Sequence, residues 1–222
     1  MSIGTKILNK IVSLAQATGG QVEGNKDVTD EMKNLARTTA EEGVVMLKND
    51  GALPLSESDV VAVFGRVQND WFYVGYGSGG DVKPPYKVNL IEGLENEGVK
   101  IDETLKKIYA DWSVKNVPYE GFWGHWPFHF DEMPLSDKVV GEAAKRANKA
   151  IVVIGRAAGE DREQKLEKGS FYLTDEEKKM ISVVTKNFNS TILIIDNGNI
   201  MDLSFIDAYG SALSAALYVW NG

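Results

Sequence analysis

Glu160, Asp161, Glu163 and Glu167 stand close in sequence to Arg156, Arg162, Lys165 and Lys168. Crowded like charges raise a carboxyl pKa and a neighbouring guanidinium lowers one, so such a loop can tune one carboxyl as a general acid. The same composition also describes a solvated, charge-balanced surface loop. The segment before it favours chemistry. Ile151-Val152-Val153-Ile154-Gly155 is a continuous apolar run rich in β-branched residues, as a strand buried on both faces requires. In open α/β sheets, ligands bind outside the carboxyl ends of the strands.

Two further segments could meet a ligand. Gly75-Tyr76-Gly77-Ser78-Gly79-Gly80-Asp81 lets backbone approach closely, but it lies too far behind its strand for a dinucleotide fingerprint, and Pro84-Pro85 blocks a helix after it. A tight structural turn or a loop lining a polyol site, with Tyr76 and Ser78 exposed to it, fits better. Phe122-Trp123-Gly124-His125-Trp126-Pro127-Phe128-His129-Phe130 offers rings that stack on the apolar faces of sugars, Trp123 and Trp126 foremost. It equally fits a satellite cluster pinning a long loop to the core. His125 and His129 have helical spacing, but Pro127 between them argues against a helix and against a metal site. No cofactor is expected, and no nucleophilic triad or Gly-x-Ser-x-Gly elbow suggests itself.

These loops need a frame. Strands are expected at Val44–Leu47, Val60–Gly65, Val99–Ile101, Ala150–Gly155, Thr191–Asp196 and Ala212–Trp220. Helices are expected at Val28–Glu42, Val88–Glu97, Glu103–Tyr109, Asp137–Asn148, Thr174–Asn187 and Asp202–Ala208. In the first of these, Met32, Leu35, Ala36 and Ala40 share a face. Alternating strands and helices imply a layered α/β sandwich, a mostly parallel sheet of about six strands flanked by helices. Ahead of it, residues 1–27 read as a separate unit. Ile3, Ile7, Leu8, Ile11, Val12 and Leu14 form one helical stripe, and Thr18-Gly19-Gly20 and Glu23-Gly24-Asn25 make a flexible joint. Residues 28–222 form the sandwich domain.

Composition narrows the function. The 222 residues are 43% hydrophobic and 25% charged, an ordinary globular balance, and a net charge of −8 argues against nucleic-acid binding. No cysteine and two histidines exclude disulfide scaffolds and thiolate metal sites. Polar residues interrupt the N-terminal apolar stripe, so no signal peptide is read there. No apolar run is long enough to span a bilayer, no membrane partner is expected, and a cytoplasmic location follows as the expectation.

Ala36-Arg37-Thr38-Thr39-Ala40-Glu41-Glu42-Gly43-Val44-Val45-Met46-Leu47-Lys48-Asn49, followed by Leu53-Pro54-Leu55, resembles the opening of the α/β-sandwich domain of glycoside hydrolase family 3. The Val60–Gly65 strand, the Gly77–Gly80 loop and Asn89-Leu90-Ile91-Glu92-Gly93-Leu94 resemble that domain in order and spacing. Gly159-Glu160-Asp161-Arg162 is similar to the family's Gly-Glu-x-x-Asp-Arg loop, without its spacer residues. The resemblance implies a retaining β-glucosidase-like enzyme acting on an oligosaccharide or aryl glycoside. Glu160 would be the general acid/base, with Glu163 as the fallback, and Arg162 would orient the loop or hold Glu160's charge state. The family's aspartate nucleophile belongs to a separate (β/α)-barrel domain. Motifs near the start of this chain resemble the subset with reversed domain order, so the chain reads as the N-terminal part of a longer enzyme. The alternative is a non-catalytic carbohydrate-binding or domain-docking module, with self-association through an exposed face as a further possibility.

Overall fold

The computed structural model describes residues 28–77, 86–121, 125–160 and 163–220. The expected helix and joint of residues 1–27 lie outside them. Six strands form one sheet: β1 (Val45–Asn49), β2 (Val60–Phe64), β3 (Lys100–Ile101), β4 (Lys149–Arg156), β5 (Thr191–Asn197) and β6 (Ala215–Val219). Their order is β1-β6-β5-β4-β2-β3, parallel throughout except for β1, which pairs antiparallel with β6. The described helices are α1 (Asp30–Gly43), α2 (Leu90–Asn96), α3 (Glu103–Lys115), α4 (Asp137–Ala144), α5 (Asp175–Asn187) and α6 (Ser204–Tyr209), with a 3₁₀ turn at Arg66–Gln68.

Successive side chains on a strand point to opposite faces, and the two cores follow that period of two. Phe64, Val152, Ile154, Leu193 and Ile195 face α3, α4 and α5 through Leu105, Tyr109, Val140, Ala143, Met180, Ile181 and Val184. Val61, Val63, Ile151, Val153, Ile192 and Ile194 face the other way, under Val67, Phe72, Ile91 and Ile101. Among the described residues this second face is covered mainly by the seven-residue α2 and two loop segments. Side-chain caps set where the helices start. Thr174 with Glu177, and Asn89 with Glu92, form reciprocal capping boxes, while Asp102 and Ser136 accept from the first turns of α3 and α4.

Two helix ends differ from expectation by more than two residues. α3 continues through Trp112 to Lys115, because Trp112 packs against the core and its ring lies 4.7 Å from the Arg66 guanidinium. α4 stops at Ala144 instead of Asn148, since the Asn148 side chain is drawn to β2, accepting from Val60 N and donating to Asp59. α1 departs further. None of its residues is buried: Met32 is 54% and Leu35 58% exposed, and on the neighbouring strand Met46 is 56% exposed. No described helix is long and apolar enough to cross a membrane.

Gly65, just past β2, is a backbone requirement of this packing. Its φ is +108°, and a Cβ there would lie 2.2 Å from the Val153 carbonyl oxygen on β4. Gly51 has φ +86° but open space around it. Gly51→Ala is therefore expected to cost about 1 kcal/mol, the conformational penalty alone. Gly65→Ala, which adds a collision with the sheet's backbone, should cost more than about 3 kcal/mol. Urea unfolding of the two variants checks the difference.

Candidate functional site

The carboxyl ends of β2, β4 and β5 carry the candidate site, and two buried arginines organise it. Arg66 follows β2 and is 2% exposed. Its Nε donates to Asp70 (2.8 Å), Nη1 to the Asp131 carbonyl (2.8 Å) and Nη2 to the Asn116 carbonyl. The guanidinium also lies over the rings of Trp112 and Phe130. One cation thereby gathers the end of α3, the loop after β2 and the aromatic loop. The Arg66 amide donates to Glu132 at 2.8 Å, and Glu132 also accepts from Met133 N. Burial of the Glu132 carboxyl outweighs these two donors and raises its pKa to about 7.

Arg156 departs from the sequence reading, which counted it in the charged loop. It is the last residue of β4 and 1% exposed. Strand alternation puts it on the face of Val152 and Ile154, where it meets the start of α5. Nη1 and Nη2 donate to the two oxygens of Glu177 at 2.6 and 2.7 Å, and the same guanidinium donates to the carbonyls of Ser170 and Tyr172. Burial alone would raise the Glu177 pKa. The charge and hydrogen bonds of Arg156, with the Thr174 amide, hold it below the usual carboxylate value. Among the described charges of the loop, Lys168 pairs with Asp175 and Lys165 with Glu167.

The loop leaving β4 runs between the two other candidate segments. Ala157 N donates to the Phe128 carbonyl at 2.8 Å. On the other side, Tyr76 N donates to the Ala158 carbonyl at 2.8 Å and Glu160 N donates to the Tyr76 carbonyl at 2.9 Å, making a short parallel bridge between Tyr76 and Gly159. Glu160 is exposed at the end of this bridge. Glu163 is also exposed, and no described contact joins it to the Tyr76 segment. The backbone of Glu160 is thus tied to the Tyr76 segment.

Rings complete the arrangement. Tyr76 and Trp126 stack nearly parallel with centroids 5.6 Å apart, and Phe72 stacks on Phe130 at 4.8 Å. Phe72 N donates to the fully buried Asp196 at the end of β5 (2.9 Å). Burial, with a smaller contribution from Glu120, pushes the Tyr76 phenol well above its ordinary pKa, so it stays neutral. A cleft of about 360 Å³ opens beside these rings, lined by Asp70, Trp71, Tyr73, Tyr76, Glu120 and Phe130 among others. Glu160 does not line the cleft; Tyr76 is the residue common to cleft and bridge. The segment from His125 to Phe130 is not helical. Ser78, Trp123 and Arg162, expected at a sugar site, lie outside the described residues. Arg66, Glu132, Asp196 and Glu177 were not singled out by sequence. A charged residue at the end of an apolar strand was the only signal for Arg66 and Arg156.

A model of the glycosyl hydrolase family 3 C-terminal domain matches residues 44–222. The chain belongs to glycoside hydrolase family 3. A β-glucosidase of Ruminococcus albus is 40% identical over 199 residues, a match covering 88% of this chain and 20% of that protein. A crystal structure of a β-glucosidase from Paenibacillus barengoltzii superposes with a TM-score of 0.84 at 36% identity, covering 88% of this chain and 22% of that one. β-Glucosidase 3B of Thermotoga neapolitana, solved in complex with glucose, gives 0.76 at 32% identity, covering 87% of this chain and 27% of that one. The family 3 chain described here therefore spans about a fifth to a quarter of the length of these relatives.

The Arg156–Glu177 pair generates a stability prediction. Removing one partner of a buried pair leaves the other charge uncompensated, so Glu177→Gln should cost about 3–5 kcal/mol at neutral pH. The folded-state pKa of Glu177 is depressed, so its contribution is present above the unfolded value of 4.5 and lost as pH falls through the folded one. Urea unfolding across pH should show the gap between wild type and variant narrowing in acid.

Proposed function

We propose that this chain is the α/β-sandwich part of a retaining β-glucosidase-like hydrolase and that Glu160 is its general acid/base. The observation that carries the reading is an exposed carboxylate whose backbone is tied to Tyr76 at the carboxyl ends of the central strands. The β-glucosidase names of the relatives and the glucose bound to one of them support a terminal β-linked glucoside as substrate. Glu160 would first protonate the glycosidic oxygen, then deprotonate the water that releases the sugar. Retention requires a second carboxylate about 5–5.5 Å away, acting as nucleophile. By resemblance to the family, that nucleophile would belong to a (β/α)-barrel domain of the same protein, and the buried Asp196 and Glu177 are engaged in structural contacts instead.

The Tyr76–Trp126 stack would line the aglycone side, and by resemblance to the family Trp123, Ser78 and Arg162 are candidate substrate-binding residues. Aromatic faces suit the apolar faces of a sugar or an aryl aglycone. The unburied α1 and the exposed apolar residues of β1 would form the surface against which the rest of the enzyme packs, since large apolar side chains exposed in that number suit an interaction site.

General acid–base catalysis contributes about 10²–10⁴-fold, so Glu160→Gln in the full-length protein should lower kcat on an aryl β-glucoside by that order. The 222 residues assayed alone should show no comparable turnover. A Glu160→Gln enzyme with nearly full activity would instead favour a non-catalytic carbohydrate-binding role, and full activity of the isolated chain would contradict a nucleophile on another domain.

A further inference from the structure

We propose that Gly77 is a positioning residue for the acid/base step: its missing side chain creates the place that the Glu160 side chain occupies. This rests on the assignment of Glu160 as the general acid/base. A Cβ built on Gly77 would lie 2.5 Å from the Glu160 Cβ, 2.9 Å from its Oε2 and 3.3 Å from its amide nitrogen. The first of these atoms is fixed to the backbone and cannot swing aside, so a side chain at residue 77 must displace Glu160 itself. The φ of Gly77 is +111°, a conformation that side-chain-bearing residues rarely adopt. It follows directly on the Tyr76 carbonyl that accepts from Glu160 N at 2.9 Å. The glycine loop thus fixes the main chain of Glu160 through Tyr76 and leaves room for its carboxyl through Gly77.

The two loops also meet from the other side. Tyr76 N donates to Ala158 O, and the Tyr76 ring is backed by Trp126, so the segment that presents Gly77 cannot retreat without breaking a hydrogen bond and a ring stack. A displaced general acid fails selectively. A leaving group of high pKa needs a proton as the glycosidic bond breaks, whereas a dinitrophenolate departs without one. Uniform damage to the fold or to sugar binding would slow both kinds of substrate alike.

The test compares kcat/KM of the full-length enzyme on phenyl and dinitrophenyl β-D-glucosides. Gly77→Ala should lose about 10- to 100-fold on the phenyl substrate and less than about 3-fold on the dinitrophenyl one. Gly51→Ala, which carries the same left-handed strain in open space, should show no such split. Glu160→Ala is run in parallel. If it splits the two substrates and Gly77→Ala slows both equally, the positioning role is overturned while the acid/base assignment stands. If Glu160→Ala itself shows no split, the acid/base assignment fails and takes this proposal with it. Where Gly77→Ala folds poorly, thermal melts of the full-length chain decide through a double-mutant cycle with Glu160→Gly. Deleting the Glu160 Cβ removes the contact, so the two changes together should lower the melting temperature by less than their sum. Strictly additive shifts would overturn the proposal.

Discussion

The short pairing of Tyr76 with Ala158 and Glu160 joins two loops that leave different strands of the sheet. An exposed carboxylate on a loop would ordinarily wander, and misplacement by about 1 Å can cost a catalytic group 10²-fold. Here the wandering is limited from several directions. β4 delivers the chain to Arg156, the Phe128 carbonyl takes the amide of Ala157, and Tyr76 takes the amide of Glu160. The Tyr76 segment is in turn held by Asp196 through Phe72, so the ends of β4 and β5 act on the same residue. The remaining features of this end of the sheet serve that arrangement.

Two buried guanidiniums do similar work on adjacent strands. Arg66 captures the carbonyls of Asn116 and Asp131, and Arg156 those of Ser170 and Tyr172. An isolated buried charge costs several kcal/mol, but here each arginine has a carboxylate partner and its other donors meet main-chain oxygens. Long loops carry many backbone carbonyls that need partners when they fold back on a core. A single planar group with five donors satisfies several at once, which suits arginine better than lysine. The chain at Asp131 and at Ser170–Tyr172 is thereby held from beneath.

Much of this frame was legible in the sequence because it depends on local pattern. Apolar runs at residues 60–65, 150–155 and 191–196, alternating with amphipathic segments, give β2, β4, β5 and the parallel order between them. The Gly-Glu pair and its flanking motifs are what single out Glu160 as the proposed acid/base. The sequence could not show which way Arg156 faces, since that follows from its register beside Asn197 and from where α5 starts. Trp112 falls beyond the helix end expected at Tyr109 because its partner, Arg66, is remote in sequence. The same separation hid the Tyr76–Gly159 bridge: each segment carries a reason to be a loop, and neither carries a sign of the other. α1 has a helical stripe that ordinarily signals burial, but its apolar face is exposed among the described residues.

The most direct test of the central claim is the anomeric configuration of the product trapped by azide. Full-length Glu160→Ala would be incubated with dinitrophenyl β-D-glucoside and sodium azide, and the glucosyl azide analysed by NMR. Loss of an acid/base leaves the covalent glycosyl-enzyme intact, and azide attacking it from the open face gives the β-configured adduct, with turnover restored. Formation of the α-configured azide would mean that Glu160 had been the nucleophile, and no adduct with unchanged turnover would mean that it takes no part in the chemistry.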